Sequence, residues 1–330
     1  MLHILNGETT ETVLAQTAIP GERFSFGDAL IAGPTPPLDG EGWRRVRASH
    51  LSQSYDVEFE KCERDLARQE EVFESFAGHD EVTLWFESDL FCQANLLYVL
   101  DSCARQNLTS TKLSLICIGD FPGRTNFRGL GELNPEDLAT LFLERSPVSA
   151  TQLELAQRGW KAYRSADPRA LEQFLQTDTS QLPFLKSALQ LQLARFPSVR
   201  NGLNRIESKG LELINNGASR FADLFPRFSE SEAGYGFGDA QLWNALQRLI
   251  KVGQPLLLTN NGGPTLERQF SWDAIARYAF SLTDTGKAVL NGSADAVSLN
   301  GIDEWLGGVH LQGHSNIWRW DEANNQLVKV

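Results

Sequence analysis

The sequence lacks the features that would identify many protein classes directly. Its 330 residues include four cysteines, and none of them forms a CxxC pair. A disulfide framework or a zinc site is therefore not expected. No apolar run reaches the ~18 to 20 residues that cross a bilayer, and the first residues lack the basic start and long apolar stretch of a signal peptide. We therefore expect a reduced, cytoplasmic protein without a membrane segment.

Motifs of nucleotide and nucleophile chemistry are also missing. Neither GxGxxG nor GxxxxGK[ST] occurs, and no local nucleophile signature is found. A net charge of −12 argues against non-specific attraction to nucleic acid or to an anionic membrane. The charge is uneven, because residues 1–150 contain 12 Lys and Arg against 24 Asp and Glu, whereas residues 151–200 contain 7 against 4. An anionic partner is therefore expected to meet the middle segment.

The composition, 42% hydrophobic and 22% charged, is that of a globular chain long enough for two or three domains. Residues 1–130 alternate nearly all-apolar strands with helical patterns, which predicts an α/β domain with a mainly parallel sheet. Residues 131–200 have a helical period and predict a helical linker layer. In residues 201–330, two helices and two strands around a loop at residues 260–264 predict a winged-helix-like α+β domain that ends in a small β appendage.

Two predicted strands of the first domain end in polar residues. Leu2–Leu5 runs into Asn6 and Gly7, and residues 82–86 run into Glu87. Because parallel strands place their carboxyl ends at one edge, where open α/β folds bind ligands, these residues should share a hollow. Asn6 and Gly7 are interpreted either as a tight turn or as part of an anion site at the next helix start.

Glu87 and Asp89 are two residues apart, so on an extended strand both carboxylates would face the same side. They would then be within reach of one cation or one substrate hydroxyl. The alternative is that Ser88 or Asp89 caps the helix that begins near Leu90.

Arginines recur every five residues in the middle segment, at Arg195, Arg200 and Arg205. Together with a predicted helix start they would suit a phosphate or a carboxylate, although exposed arginines near helix ends are usually only solvated. We predict no resident metal site. His310 and His314 are four residues apart, but the glycines around them disfavour the helix that would align them.

Several of these stretches together resemble a bacterial family known only as domain of unknown function 1835. The similarity is carried by residues 2–7, by Asp28 followed by Gly33 and Pro34, by residues 85–90 and 121–123, and by residues 197–203 and 305–311 in the companion region. This chain has Glu8 where the family has Asp, and Ser88 where relatives often have His. The resemblance implies no activity. The candidate ligand-binding residues are Asn6, Gly7, Asp28, Glu87, Asp89 and Arg200.

Two functional hypotheses remain. The first is a small-ligand-binding or adaptor protein: its N-terminal domain takes a small ligand, either anionic through a phosphate or cationic, and its C-terminal domain contacts a protein partner. The alternative is a metal-assisted hydrolase or transferase acting on a phosphorylated or nucleotide substrate, with Glu87 and Asp89 holding the ion. Nucleic-acid binding is not expected, because the predicted recognition helix offers only Arg248 and Lys251 to phosphates. The sequence names no cofactor.

Overall fold

The computed structural model describes residues 1–260 and 271–330. Of the loop predicted at residues 260–264, residues 261–264 lie outside the described residues. The fold is mixed α/β, with a mostly parallel sheet near the N-terminus and small antiparallel sheets near the C-terminus. No helix in the described residues is both long and apolar enough to cross a membrane.

The N-terminal part contains six strands and five α-helices. The strands are β1 (Leu2–Leu5), β2 (Glu22–Ser25), β3 (Gly33–Pro34), β4 (Glu81–Glu87), β5 (Lys112–Ile118) and β6 (Ser146–Pro147). The helices are α1 (Glu8–Leu14), α2 (Gly40–Tyr55), α3 (Phe59–Glu74), α4 (Leu90–Ala104) and α5 (Pro135–Leu143).

Four of these strands form the predicted parallel sheet, in the order β2-β1-β4-β5, and β6 adds an antiparallel edge. All side chains of β1 are buried, as expected for a strand covered on both faces. Leu2 pairs with Val82 and Leu5 with Trp85 in a parallel register. The predicted side-by-side placement of these two segments is therefore confirmed, and their carboxyl ends lie at one edge of the sheet.

In residues 148–260 and 271–330, the remaining elements are helices and three antiparallel strand pairs, of which β7 and β8 stand among the helices and the other two pairs follow them. The helices are α6 (Ala150–Tyr163), α7 (Arg169–Leu175), α8 (Leu185–Leu193), α9 (Arg205–Asn215), α10 (Phe221–Ser231), α11 (Asp239–Ile250), α12 (Trp272–Ile275), α13 (Asp284–Asn291) and α14 (Ala296–Asn300). The strands are β7 (Leu257–Thr259), β8 (Phe280–Leu282), β9 (Ile302–Gly307), β10 (Val309–Gly313), β11 (Trp318–Asp321) and β12 (Gln326–Lys329).

The first and last parts of the chain are joined by a short strand pairing. Gly33 and Pro34, which as a Gly-Pro run indicate a loop, form β3 and pair in parallel with Leu306 and Gly307 of β9. One apolar cluster also extends across the chain, and it includes Leu84 of β4 and residues of α8 and α11. The division into three domains stays a prediction.

Candidate functional site

The side chains of Asn6, Glu87, Asp89 and Cys92, here called the tip cluster, meet where β1 and β4 end. Asn6 Nδ2 donates to Cys92 Sγ over 2.8 Å, and Cys92 Sγ donates to Glu87 Oε2 over 2.7 Å. One oxygen of each carboxylate and the Cys92 sulfur all lie within 4.8 Å of one another. The structure thus brings Asn6, Glu87 and Asp89 together, and it adds Cys92 from the first turn of α4.

Asp89 caps helix α4, which is the alternative that the sequence left open. Its backbone is extended, and its Oδ1 accepts a hydrogen bond from the Cys92 amide over 2.9 Å. Gly236 approaches this carboxylate so closely that a Cβ there would lie 2.1 Å from Asp89 Oδ1. A glycine is needed at this position, both for that approach and for its left-handed backbone. The carboxylate is therefore held between a helix start and the Gly236 backbone.

Burial dominates the protonation of the tip cluster. It raises the pKa of Glu87 to about 7, against the opposing effect of hydrogen bonds from Cys92 and the Leu130 amide, while the charge on Asp89 raises it further. Burial likewise raises the pKa of the Cys92 thiol well above its usual range, so the sulfur keeps its proton. Asn95 Nδ2 completes the set by donating to Asn6 Oδ1 over 2.7 Å. Most polar atoms of the cluster therefore already have partners within the protein.

The tip cluster has a donor set that could hold a divalent ion. A deprotonated Cys92 with two carboxylates would offer one sulfur and at least two oxygen ligands, which suits zinc better than magnesium. Such an ion would have to displace the Cys92 proton and compete with the Asp89 cap of α4. Metal binding here thus costs hydrogen bonds that the protein already makes.

Three other predicted residues lie in different surroundings. Gly7 precedes α1 with a φ of 131°, a conformation that favours glycine. Asp28 is buried and binds Arg47 through both carboxylate oxygens, over 2.5 and 3.0 Å. Arg200 is exposed, and its Nη2 donates to the Asn291 carbonyl over 3.3 Å. The structure does not bring Asp28 or Arg200 to the tip cluster.

A cavity of about 1080 Å³ lies elsewhere, between the N-terminal and C-terminal parts of the chain. We call it the central cavity. Its wall is formed by the end of α2, the start of α9, one face of α11 and strand β9, and its charged or polar residues include His50, Arg195, Glu207, Arg248 and Glu304. Its volume is at the upper end of the range for small-molecule sites, roughly 300 to 1,000 Å³.

Arg195 is a buried cation on this wall, with only 6% of its surface exposed. Its Nη1 donates to the Ile31 carbonyl and to Gln192 Oε1, and its guanidinium carbon lies 5.3 Å from the centre of the Phe237 ring. Within residues 1–260 and 271–330, Nε and Nη2 have no protein acceptor, and no carboxylate is within ion-pair distance. The positive charge thus has no counter-ion from the described chain.

A second charged group on the wall has two carboxyl groups beside one guanidinium. Arg248 Nη2 lies 3.1 Å from Glu304 Oε1 and 3.5 Å from Glu207 Oε1, so two carboxylates share one guanidinium. Both carboxylate side chains are largely buried. Burial raises the pKa of Glu207 to about 7, with the charge on Arg248 opposing this shift and that on Glu304 adding to it.

His50 and α11 complete the wall of the cavity. Burial and the neighbouring Arg47 charge lower the pKa of His50 to about 4, so its ring is neutral near pH 7. Its Nε2 is buried without a hydrogen-bond partner. On α11, Gln241 Nε2 donates to the Tyr55 hydroxyl over 3.2 Å, and Asn244 Nδ2 donates to the Ser54 carbonyl over 3.1 Å. These bonds join α11 to the end of α2.

Comparison with protein-family models and with curated proteins found no match to this chain. The resemblance to the domain of unknown function 1835 family therefore stays a prediction. Of the charged residues of the central cavity, the spacing of arginines in the sequence had singled out Arg195. Nothing in the sequence pattern distinguishes Glu207 or Glu304 from the many other glutamates.

Proposed function

We propose that the protein binds a small molecule in the central cavity, with Arg195 as the counter-ion for an anionic group of that molecule. The observation that carries this proposal is a buried guanidinium on a cavity wall, with two nitrogens that have no protein acceptor. Both nitrogens are accessible from the cavity, since neither is among the fully buried side-chain atoms without a partner. A carboxylate or phosphate would accept from both free nitrogens in the bidentate geometry that arginine favours.

The hydrogen bonds of Arg195 favour a role in ligand binding over a purely structural role. Its Nη1 alone makes the bonds that fasten Ile31 to α8, whereas Arg47 in the same region uses its guanidinium on Asp28 and on three backbone carbonyls. Arg47 is thus fully bonded, whereas Arg195 is not. We therefore place the anionic ligand at Arg195, whereas the sequence-based hypothesis placed it at Asn6 and Arg200.

The test uses the full-length protein as purified. Denaturing mass spectrometry would identify a co-purifying small molecule, and thermal shift assays with carboxylates, phosphates and nucleotides would rank ligand classes. We expect Arg195→Gln to lose most of the ligand-induced shift, while the matched exposed variant Arg200→Gln keeps it. Equal shifts in wild type and Arg195→Gln would overturn the proposal.

We further propose that residues 201–330 include a winged-helix-like unit that makes protein contacts rather than DNA contacts. The order α9, α10, α11, β7, β8 supports it, as does an isolated bridge between Arg220 and Ala279. Gln241 and Asn244 of α11 bond to the end of α2, and Arg248 is paired with glutamates, which leaves little of that face for phosphates. A salt-sensitive gel shift with duplex DNA would contradict this interpretation.

A second candidate function, metal-assisted hydrolysis or transfer, is favoured by one observation. Glu87, Asp89 and Cys92 place three ligand atoms within 4.8 Å of one another. Titration calorimetry with Zn²⁺ and Mn²⁺ tests it, with Cys92→Ser and Glu87→Gln as variants and Cys103→Ser as a buried control thiol. Stoichiometric binding that both tip variants abolish would support this function, and the same weak binding in all proteins would dismiss it.

A further inference from the structure

We propose that the ligand of the central cavity is bipolar, with its anionic group on Arg195 and a protonated amine on the carboxylate pair of Glu207 and Glu304. This inference rests on the proposed function, because it places the anionic end on Arg195. It adds the chemical class of the ligand, a compact chain with opposite charges at its two ends.

The charge distribution of the wall carries the inference. Arg248 is shared by Glu207 and Glu304, so this end of the cavity has one carboxylate more than it has guanidinium groups. The Glu207 carboxylate also accepts from the Asn204 amide, whereas Arg248 is the partner that the structure gives Glu304. In residues 1–260 and 271–330, no hydrogen bond or ion pair involves the second Glu304 oxygen, which is therefore left for a donor from the cavity. A cationic ligand group would complete this pair, as an anionic group would complete Arg195.

The distance between the two ends sets the length of the ligand. Phe237, which lies under the Arg195 guanidinium, comes two residues before α11, and Arg248 lies near the end of that helix. From Asp239 to Arg248 the helix rises roughly 13 Å at 1.5 Å per residue. Side chains of a helix tilt towards its N-terminus, which brings the Arg248 guanidinium and its carboxylate partners nearer to Arg195, so this rise is an upper bound for the length of the ligand.

The wall of the cavity is mixed. Its apolar side chains include Ile206, Leu249, Leu256 and Val297, whereas Gln241, Asn244 and Gln247 line it from α11. A methylene chain would be in contact with the apolar part of this wall, since it needs no hydrogen bonds there.

The experiment compares three probes of equal length by titration calorimetry on the full chain: 8-aminooctanoate, octanedioate and 1,8-diaminooctane. We expect 8-aminooctanoate to bind about tenfold more tightly than either of the others, as expected when each buried charge meets its opposite. Glu304→Gln should remove the preference for 8-aminooctanoate over octanedioate. Arg195→Gln should remove the preference for 8-aminooctanoate over 1,8-diaminooctane. The exposed variants Glu322→Gln and Arg200→Gln should keep both preferences.

The outcomes separate the two proposals. If octanedioate binds as tightly as 8-aminooctanoate, or if Glu304→Gln leaves the preference unchanged, the bipolar ligand is wrong while the anion site at Arg195 stands. If neither carboxylate probe binds wild type, the proposed function fails as well. Circular dichroism without ligand checks that each variant folds. If Arg195→Gln does not fold, Arg195→Lys replaces it, and if Glu304→Gln does not fold, Glu207→Gln replaces it.

Discussion

The tip cluster and the central cavity contain similar residues but differ in how their polar atoms are satisfied. Each has a glutamate with a pKa raised to about 7, Glu87 in one and Glu207 in the other. In the tip cluster, hydrogen bonds run from Asn95 to Asn6, on to the Cys92 thiol and then to Glu87. On the cavity wall, the charge of Arg195 is unmatched and two carboxylates share one guanidinium.

This difference shows why converging polar residues are not by themselves a ligand site. Groups at a sheet edge can bind one another and stabilise the junction between strand and helix. Charges that the protein leaves unmatched beside an open volume indicate a partner from outside, because burying them alone is unfavourable.

The largest effect is expected at Asp28, because the Arg47 pair is the satisfied counterpart of Arg195. Asp28→Ala leaves a fully buried guanidinium without its carboxylate. We expect a loss of about 3–5 kcal/mol in the free energy of unfolding, measured by urea denaturation. The exposed control Asp120→Ala should lose less than about 0.5 kcal/mol. A similar small loss at Asp28 would mean that buried guanidinium groups need no counter-ion here.

Glu87→Gln tests the tip cluster through its pH dependence. Because the folded pKa of Glu87 is raised from 4.5 to about 7, its contribution to stability is complete below the unfolded pKa and is lost as pH rises through 7. Glutamine does not ionise. The free energy of unfolding of the variant minus that of wild type should therefore increase by about 3 kcal/mol from pH 4 to pH 8. Unfolding at both pH values measures this. A difference that does not change with pH would contradict the raised pKa of Glu87.

Asn6→Ala tests whether the tip cluster is an internal network. The substitution removes the acceptor of Asn95 Nδ2 and the donor to the Cys92 sulfur. We expect a loss of about 1–3 kcal/mol in the free energy of unfolding, with the calorimetric binding of 8-aminooctanoate unchanged. Asn107→Ala, at an exposed position, is the control. Loss of ligand binding without loss of stability would mean that the ligand binds at the sheet edge beside Asn6 and not in the central cavity.

Arg200→Gln should have the smallest effect. Arg200 is exposed and makes one long hydrogen bond to a backbone carbonyl. The free energy of unfolding should change by less than about 0.5 kcal/mol, and ligand-induced thermal shifts should stay at the wild-type value. A variant that lost the shift would place the anion at Arg200, as the sequence alone suggested.

The sheet could be predicted from the sequence because its signals are local. Apolar strands separated by helical patterns indicated parallel β1 and β4. Asn134 before Pro135 is likewise a local signal that is typical of a helix start, and the structure has a capping box there at the start of α5. Helix α10 was not predicted, because Pro226 in its interior is a strong breaker signal. The buried face of α10, with Phe221, Leu224 and Phe228, offsets the cost of that proline.

The candidate site in the central cavity could not be predicted in the same way. Arg195, Glu207, Arg248 and Glu304 come from four segments that only the packing of the chain brings together, and sequence spacing carries no information about that distance. The tip cluster could be predicted because strand ends of a parallel sheet must meet at one edge. Its chemistry could not, since whether Asp89 caps a helix or faces a ligand depends on side-chain geometry.

The most direct test is a crystal structure of the full chain soaked with 8-aminooctanoate. We predict electron density for the ligand in the central cavity, with its carboxylate on Arg195 and its amine on Glu304. Density for the ligand beside Asn6 and Glu87, with the central cavity holding only water, would contradict this prediction and make the tip cluster the binding site.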